Sequence, residues 1–251
     1  HGYWEAYLAL TERQGMTKNL ARLEMRRRVT LIGGMMVRMG DADAMICGVE
    51  GNYISHLRYI RDLIGARPGL ADVAAVTMLI LKRGTYFITD THVSVNPTAA
   101  QIADSTALAA ELITGFGMEP KAALLSHSNF GSRQNEHSEK MRQALQILRD
   151  KYPQILAEGE MHADAALSQE IRDRLFKNSA FTGEANLLVC PSLNAANIAY
   201  NMAKMLADGL PVGPMLVGTN YPAHILTEST TVRGIVNMAA YASLDAMNRK
   251  L

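Results

Sequence analysis

The stretch Gly213–Ser229, GPMLVGTNYPAHILTES, contains the signals from which the fold can be predicted. It predicts a Gly-Pro turn, a short apolar strand, and a loop that includes Asn220, Tyr221 and His224. Thr227, Glu228 and Ser229 then open a predicted helix with apolar positions from Val232 onward. Polar side chains at a strand-to-helix junction commonly face a ligand. The pattern is also typical of a simple N-cap, in which Thr227 or Ser229 accepts from free backbone amides.

Strands and helices alternate along the whole chain. Thr98 and Gln101 form a capping-box sequence at the start of one predicted helix. The apolar run Val73–Leu81 is followed by a Lys-Arg-Gly turn and a second strand, which predicts a hairpin or two adjacent strands. That second strand is Tyr86–Ile88, and further predicted strands lie at Ala42–Gly48, Ala123–Ser128 and Leu187–Val189. The alternation predicts an α/β fold with mostly parallel strands.

Length and composition restrict the class of protein. A chain of 251 residues suffices for one large or two small domains. The 25 basic and 24 acidic side chains nearly cancel, so neither a nucleic acid nor a membrane partner is indicated. Cys47 and Cys190 lie far apart in or beside apolar runs, which is typical of buried free thiols in a reducing compartment. With no signal-peptide pattern, the expected location is cytoplasmic.

The segment Ser126–Arg133, SHSNFGSR, is the best candidate for an anion site. It follows a predicted strand, contains Gly131 and precedes a predicted helix. Free amides, the hydroxyls of Ser128 and Ser132, and the charge of Arg133 could surround a phosphate. The segment is equally typical of a simple polar turn, so the residues alone leave both interpretations open.

Acidic and histidine side chains alternate at Glu160, His162 and Asp164, and in an extended strand they would share one face. Such groups can bind a metal. No fourth ligand occurs at a spacing typical of a metal site. The pattern therefore favours a polar strand end that lines a cleft. Asp90 and His92 lead to the same conclusion, and we predict no metal site.

Two amide side chains, Asn194 and Asn197, follow the strand Leu187–Val189. Each can cap the next helix or contact a ligand. The chain contains no GxGxxG, Walker lysine loop, GxSxG or HExxH motif. Nucleotide binding by those devices is therefore not predicted.

Four motifs occur in the order found in one protein family. They are ALLSHSNFGS, GEMHADAAL, NLLVCPSLNAANIAY and GPMLVGTNYPAHILTES. Together they resemble the phosphate acetyl/butyryltransferases over roughly the whole chain. The segment ADAMICG and the final motif look most like one branch, the transferase-like C-terminal domain fused to NADP-dependent malic enzymes. A start at His1 instead of Met fits a fragment of such a fusion, although processing or a tag would also explain it.

The resemblance implies two three-layer α/β subdomains with a cleft between them. Residues 1–104 and 216–251 would form the first subdomain, and residues 105–215 the second. Acetyl-CoA or a related acyl-CoA would bind in the cleft as an effector, and the chain would form a homodimer or larger homo-oligomer. NADP and a divalent metal would belong to the malic enzyme domain of the same protein, with no cofactor in this part.

The final motif departs from the family pattern. Active members carry Pro-Val-Asn-Asp-Leu-Ser-Arg-Gly, in which Ser and Arg assist attack of the CoA thiolate on an acyl phosphate. An Asp a few residues later is expected to take the thiol proton. Here Thr227 stands at the Ser position, Glu228 at the Arg position and Gly234 at the Asp position. Arg58 matches a family arginine near the phosphate and is retained.

These departures predict a loss of turnover. A phosphoryl group carries about two negative charges and needs fixed cations, whereas Glu228 reverses the sign. Like charges about 4 Å apart cost roughly 1 to 4 kcal/mol, and loss of a general base removes a further factor of about a hundred. The thioester of acyl-CoA is neutral and can still bind. The expected function is a non-catalytic domain that binds acetyl-CoA, oligomerises and allosterically inhibits a malic enzyme.

Two alternatives stay open. The chain could be an active phosphate acetyltransferase that uses acetyl phosphate and CoA, because Thr227 keeps a hydroxyl. It could instead be a structural dimerisation module with an empty cleft. The motif positions predict ligand contacts at Arg58, Ser128, Asn129, Arg133, Asp164, Asn197, Asn220, Tyr221, Thr227 and Glu228, and no catalytic residue.

Overall fold

The computed structural model describes residues 2–249. The chain forms two compact units, of which the first joins the segment up to Val73 to the segment from Gly213 onward, and the second is Ala74–Val212. The chain therefore first passes from the first unit to the second after Val73, whereas the resemblance placed this boundary at residue 104. The reason is that the two strands following Val73 join the large sheet of the second unit. Residues 1, 250 and 251 of the predicted first subdomain lie outside the described residues.

The first unit contains a two-stranded parallel sheet with helices packed around it. Its strands are β1 (Met45–Gly48) and β8 (Ala223–Leu226), with Met45 opposite Ala223 and Gly48 opposite Leu226. The core of this unit is formed by buried side chains from the helices and from β8, among them Leu31, Met35, Leu57, Ile60, Ile225 and Met238. The helices are α1 (Tyr3–Thr11), α2 (Lys18–Arg27), α3 (Val29–Arg38), α4 (Tyr53–Leu63) and α10 (Val232–Asn248).

The second unit is built on a six-stranded sheet. The strands of this sheet are β2 (Ala74–Leu81), β3 (Gly84–Thr89), β4 (Lys121–Leu125), β5 (Leu156–Met161), β6 (Leu187–Val189) and β7 (Leu210–Val217). The boundary between the units falls within β7, after Val212. They are arranged in the order β5-β4-β6-β3-β2-β7. The strands β3, β4, β5 and β6 run parallel, and β2 pairs antiparallel with β3. The predicted hairpin and the α/β class are therefore confirmed.

Five helices cover the sheet of the second unit. They are α5 (Ala99–Gly115), α6 (Glu136–Lys151), α7 (Ala163–Leu167), α8 (Gln169–Leu175) and α9 (Leu193–Leu206). The predicted capping box starts α5, since Thr98 accepts from the amide of Gln101 and the side chain of Gln101 accepts from the amide of Thr98. Phe87, Ile102, Ile113, Leu124, Met141 and Met161 are almost fully buried and belong to the core. No helix within residues 2–249 is long and apolar enough to cross a membrane.

The stretch Gly213–Ser229 folds differently from its prediction at three points. Gly213 and Pro214 lie inside β7, not in a turn; proline is tolerated there because β7 is an edge strand of its sheet. His224 lies in β8 and is fully buried, because α4 and α10 both pack against this strand. Finally, α10 starts at Val232 with Thr231 as its cap, since the Thr231 hydroxyl accepts from an amide in the first turn.

Candidate functional site

The carboxyl ends of β1 and β8 lie side by side. Gly48 is opposite Leu226, and the amide of Val49 donates to the Leu226 carbonyl at 3.2 Å. Each strand continues through a short polar loop into a helix. Asn52 caps α4 after β1, and Thr231 caps α10 after β8. Two helix N-termini therefore follow the same edge of the sheet, which is where open α/β sheets bind ligands.

The three altered motif positions lie at this edge. The Thr227 hydroxyl is 3.2 Å from that of Ser229 and 3.3 Å from that of Thr230. Glu228 is exposed, and no ion pair joins it to another of residues 2–249. A Cβ at Gly234 would lie 2.9 Å from Cγ2 of Thr230. The edge thus presents hydroxyls and an unpaired carboxylate, and it leaves little room for a side chain at position 234.

Asn220 and Tyr221 precede β8, so they lie at the opposite end of that strand from Thr227. The side chain of Asn220 donates to the carbonyl of Ile64 at 2.9 Å, and its amide donates to Gly65. Asn220 therefore fixes the end of α4. Tyr221 is 41% exposed and is free to contact a ligand. The structure does not bring these two predicted contacts together with Thr227.

Arg58 lies on α4, and its side chain is 83% exposed, with Nε 3.9 Å from Asp62 Oδ2. It borders a groove of about 330 Å³ between α1, α2 and α4. Among its lining residues, the Tyr59 hydroxyl donates to Glu24 at 3.0 Å. Sequence reasoning missed this groove because its lining comes from three separate segments.

The SHSNFGSR loop closes onto Glu160, which is only 1% exposed. Glu160 Oε1 accepts from the Ser128 hydroxyl at 2.6 Å, from the Gly131 amide at 2.9 Å and from Arg142 Nη1 at 3.0 Å. The Glu160 carbonyl accepts from the amide of Phe130 at 2.7 Å. Glu160 is therefore an internal acceptor for this loop, a role that sequence reasoning did not consider.

Amides considered as phosphate donors already have acceptors in this loop. The amide of Asn129 donates to the Ser132 hydroxyl at 2.9 Å, and that of Ser132 to the Asn129 carbonyl at 3.0 Å. The amide of Arg133 donates to the Ser128 hydroxyl at 3.0 Å. The Asn129 side chain accepts from the amide of His162 at 2.7 Å. The Arg133 side chain is exposed, and it is the cationic group that this loop offers to an anion.

Glu160, His162 and Asp164 do not share one strand face. The strand β5 ends at Met161 and α7 begins at Ala163, so the three residues do not lie in one extended strand. Asp164 lies exposed in the first turn of α7, and its Oδ1 accepts from the amide of Ala165 at 2.7 Å. No cluster of three or more His, Cys, Asp or Glu side chains suited to a metal occurs among residues 2–249.

Asn194 and Asn197 both lie on α9, and neither caps it. Ser192 is the cap, because its hydroxyl accepts from the amide of Ala195. The Asn197 side chain donates to the carbonyl of Thr91 at 3.4 Å and accepts from Asn201. Asn197 therefore anchors the loop that follows β3.

A second buried carboxylate, Asp90, organises that loop. It accepts from the amides of Ala75, His92, Val93 and Ser94 at 2.9 to 3.1 Å. Burial raises the pKa of Asp90 although these hydrogen bonds act in the opposite direction. Burial also lowers the pKa of His92 to about 4. From the sequence, Asp90 and His92 were interpreted as polar residues that line a cleft rather than as metal ligands, whereas the Asp90 carboxylate binds the backbone of its own loop.

His224 is a buried residue of the first unit. Its Nε2 lies 3.4 Å from Asp245 Oδ2, and its ring centroid is 4.9 Å from that of Tyr241. Burial lowers the pKa of His224, and the neighbouring Asp245 carboxylate acts in the opposite direction. Arg249 donates to both carboxylate oxygens of Asp245. His224 is therefore enclosed and does not belong to an exposed ligand loop.

Comparison with known proteins agrees with this architecture. The NAD-dependent malic enzyme of Rhizobium meliloti (strain 1021) is 49% identical over 244 residues, which make up 97% of this chain and 32% of that protein. The NADP-dependent malic enzyme of Escherichia coli (strain K12) is 43% identical over 250 residues, 99% of this chain and 33% of that protein. The chain thus spans about a third of the length of these curated relatives.

The solved structures lead to the same family. A crystal structure of a phosphotransacetylase from Streptococcus pyogenes matches with a TM-score of 0.91 and 30% identity. The match covers 98% of this chain and 75% of the phosphotransacetylase chain. The family model described as phosphate acetyl/butaryl transferase matches residues 1–243. The similarity suggested by the four sequence motifs is confirmed, and this chain belongs to the phosphate acetyl/butaryl transferase family.

Proposed function

We propose that this chain is a regulatory domain of a malic enzyme that binds acetyl-CoA or a related acyl-CoA and mediates oligomerisation, without transferring acetyl groups itself. The observation that carries the proposal is the exposed, unpaired carboxylate of Glu228 beside β1 and β8. NADP and a divalent metal would serve the malic enzyme domain of the same protein. Acetyl-CoA would act on that domain as an allosteric inhibitor.

Electrostatics at the sheet edge favour a neutral ligand group over a phosphoryl group. The carboxylate of Glu228 opposes the two helix N-termini, which by themselves attract anions. A thioester carries no charge and meets no such repulsion. The hydroxyl of Thr227 remains available as a donor to a carbonyl oxygen. At the expected position of the base, Gly234 provides no group that could take a proton from a thiol.

The oligomerisation part of the proposal rests on α9. Its exposed apolar side chains are Ile198 (59% exposed), Met202 (56%), Met205 (75%) and Leu206 (82%). Their spacing places them along one side of the helix. Contiguous exposed apolar surface is typical of interaction sites, and a helix face can pair with its own copy about a two-fold axis. The same observation supports the alternative in which the chain is a structural dimerisation module.

Calorimetric titration of the chain with acetyl-CoA tests the binding. We expect saturable binding, and replacement of Thr227 by Leu should weaken it, because a bulky apolar group replaces the donor. Thr182→Leu, at an exposed site in the second unit, serves as the control. Absence of binding at millimolar acetyl-CoA would end the proposal, and a dimer that ignores the ligand would then favour the structural module.

Two activity measurements complete the test. Formation of acetyl-CoA from acetyl phosphate and CoA, above background, would favour the active acetyltransferase over a regulatory domain. In the full-length protein, acetyl-CoA should inhibit oxidative decarboxylation of malate, and Thr227→Leu should relieve that inhibition. Unchanged inhibition in the variant would remove Thr227 from the effector site.

A further inference from the structure

One oxygen of Glu160 accepts three hydrogen bonds within the second unit. The donors are the hydroxyl of Ser128, the amide of Gly131 and the guanidinium of Arg142. Glu160 and Ser128 are buried, with exposures of 1% and 0%. A hydroxyl, a backbone amide and a cation aimed at one point are the donor set of an oxyanion site. In this structure that position is taken by a side chain of the protein itself.

The same contacts fix the backbone of Arg133. Its amide donates to the Ser128 hydroxyl at 3.0 Å, and that hydroxyl donates to Glu160. Its carbonyl accepts from Arg142 Nη1 at 3.3 Å and from the Ser138 hydroxyl at 2.9 Å. Two residues that bind Glu160, Ser128 and Arg142, thus also hold the amide and the carbonyl of Arg133, and Ser138 adds one more hydrogen bond to that carbonyl. The guanidinium of Arg133, in contrast, is exposed.

We propose that Glu160 is a positioning residue that fills the oxyanion centre of the 126–135 loop and thereby sets the direction of Arg133. The Arg133 side chain then binds an anionic group of the ligand, such as a phosphate of acyl-CoA, because the three donors of the oxyanion centre already donate to Glu160. This inference adds detail to the proposed function, and the role that it gives to Arg133 rests on that function. It assigns Ser128 to supporting the loop, although the family motif places it among the ligand contacts.

Removal of the carboxylate leaves buried donors without an acceptor, and such donors destabilise the folded state. The space left by Glu160→Ala would still be lined by the hydroxyl of Ser128, the amide of Gly131 and Arg142. A small carboxylate from solution can restore the three hydrogen bonds there. A side chain that merely fills volume would show no such response to an added anion.

The experiment uses Glu160→Ala with formate and acetate as probes. We expect the variant to unfold at a lower temperature than the wild-type chain. Either probe should raise its Tm by several degrees more than it raises that of the wild type, and chloride at equal ionic strength should not. The Kd for acetyl-CoA should rise about tenfold in the variant, as for the loss of one hydrogen bond to a charged group, and should recover when acetate is added.

Two further variants keep the proposal testable if Glu160→Ala does not fold. Glu160→Gln keeps the shape and one acceptor oxygen but removes the negative charge that the three donors face, and we expect about tenfold weaker acetyl-CoA binding. Glu139→Gln removes another carboxylate that pairs with Arg142 but makes no contact with the loop, and acetyl-CoA binding should be unchanged. Wild-type affinity in Glu160→Gln would overturn the proposal.

The failure of this inference can be distinguished from failure of the proposed function. If the wild-type chain binds no acetyl-CoA, the proposed function fails, and the Tm response of Glu160→Ala to formate still tests whether Glu160 fills an oxyanion centre. If that response is absent, the centre does not exist and this inference fails. If Tm recovers while the Kd for acetyl-CoA stays at its wild-type value throughout, Glu160 does not position a ligand contact, and the inference fails as well.

Discussion

Gly48 lies directly opposite Leu226 in the parallel ladder of β1 and β8, with a φ of +93°. A Cβ at this position would overlap the carbonyl of Leu226. The absence of a side chain lets the two backbones approach closely enough for the amide of Val49 to donate to the same carbonyl at 3.2 Å. This contact places the loop before α4 beside the loop that carries Thr227 and Glu228.

Gly48→Ala should therefore destabilise the chain strongly. The substitution combines a left-handed backbone with a clash against backbone atoms that cannot rotate away, and we expect a loss of more than about 4 kcal/mol in the free energy of unfolding. Gly40 is the matched control, since its φ is +80° but nothing lies within 4 Å of an added Cβ. Gly40→Ala should cost only about 1 kcal/mol. Equal losses in urea denaturation would contradict the steric argument.

Arg172 is a fully buried cation that holds the chain between Ala165 and Gly183. Its guanidinium donates to the carbonyls of Ala165, Phe181 and Gly183 at 2.8 to 3.2 Å, and it stacks on the Phe181 ring at 4.7 Å. Lysine has no planar fork that could reach three carbonyls. We expect Arg172→Lys to lower the free energy of unfolding by about 2 to 4 kcal/mol.

The control for this variant is Arg174→Lys. Arg174 pairs with Glu170 on the surface, where the two side chains are 72% and 75% exposed. Such pairs contribute little, so the unfolding midpoint should hardly move. Wild-type stability in Arg172→Lys would mean that Arg172 acts through its charge, which lysine keeps, and not through its geometry.

Local patterns allowed several elements to be predicted. The capping box of Thr98 and Gln101 and the hairpin of β2 and β3 depend on neighbours in sequence, and both are present. Gly213 and Pro214 were predicted to form a turn, yet they lie in β7, an edge strand, where proline is tolerated. The identity of an edge strand depends on the whole sheet, which no local pattern encodes.

The candidate site illustrates the same limit. The order of the motifs identified the family, and the position of Glu228 after β8 agrees with the predicted strand-to-helix junction. The bond between Ser128 and Glu160 joins residues 32 positions apart, so it could not be predicted from spacing. Asp90 was missed as a loop anchor because a buried carboxylate is recognised by the amides around it, and those are set by the fold.

The half-buried ring of His92 predicts acid sensitivity. Its pKa is lowered by burial to about 4, whereas an unfolded chain holds histidine near 6.5. Between these values the unfolded state binds more protons, so the contribution of this ring to stability is constant above about pH 6.5 and falls as the pH drops towards 4, by up to about 3 kcal/mol. His92→Gln should flatten this slope in denaturation measured across the window.

The exposed His137 provides the control for that measurement. His137→Gln should leave the slope of stability against pH unchanged. Some slope should persist in His92→Gln, because burial also lowers the pKa of His224. A slope in His92→Gln identical to that of the wild type would show that the ring is not kept neutral by the fold.

An acid at position 234, where the family pattern places one, would press against the side chain of Thr230. A Cβ on Gly234 would lie 2.9 Å from Cγ2 of Thr230. Gly234→Asp alone should destabilise α10 by about 1 to 3 kcal/mol through overpacking. Adding Thr230→Ser removes the methyl group and should recover most of that loss in thermal unfolding. Failure of the second substitution to compensate would show that the strain arises elsewhere.

Replacement of Glu228 by arginine tests the charge argument directly. The variant puts a cation beside the hydroxyl of Thr227, at an edge already followed by two helix N-termini. Acetyl phosphate should then bind at least about tenfold more tightly at low ionic strength, and calorimetry at increasing salt should show the gain fading. Binding of acetyl-CoA should change less, because its thioester is neutral.

Glu12→Arg is the matched control, because it makes the same change in net charge at an exposed position in the short turn after α1. A gain in Glu228→Arg that the control does not share would assign the exclusion of phosphate to the local charge. If both variants bind acetyl phosphate as weakly as the wild type, Glu228 is not what excludes it. The lack of turnover would then need another cause, and the combination of Thr227→Ser, Thr230→Ser and Gly234→Asp would become the next set of substitutions to assay for acetyl transfer.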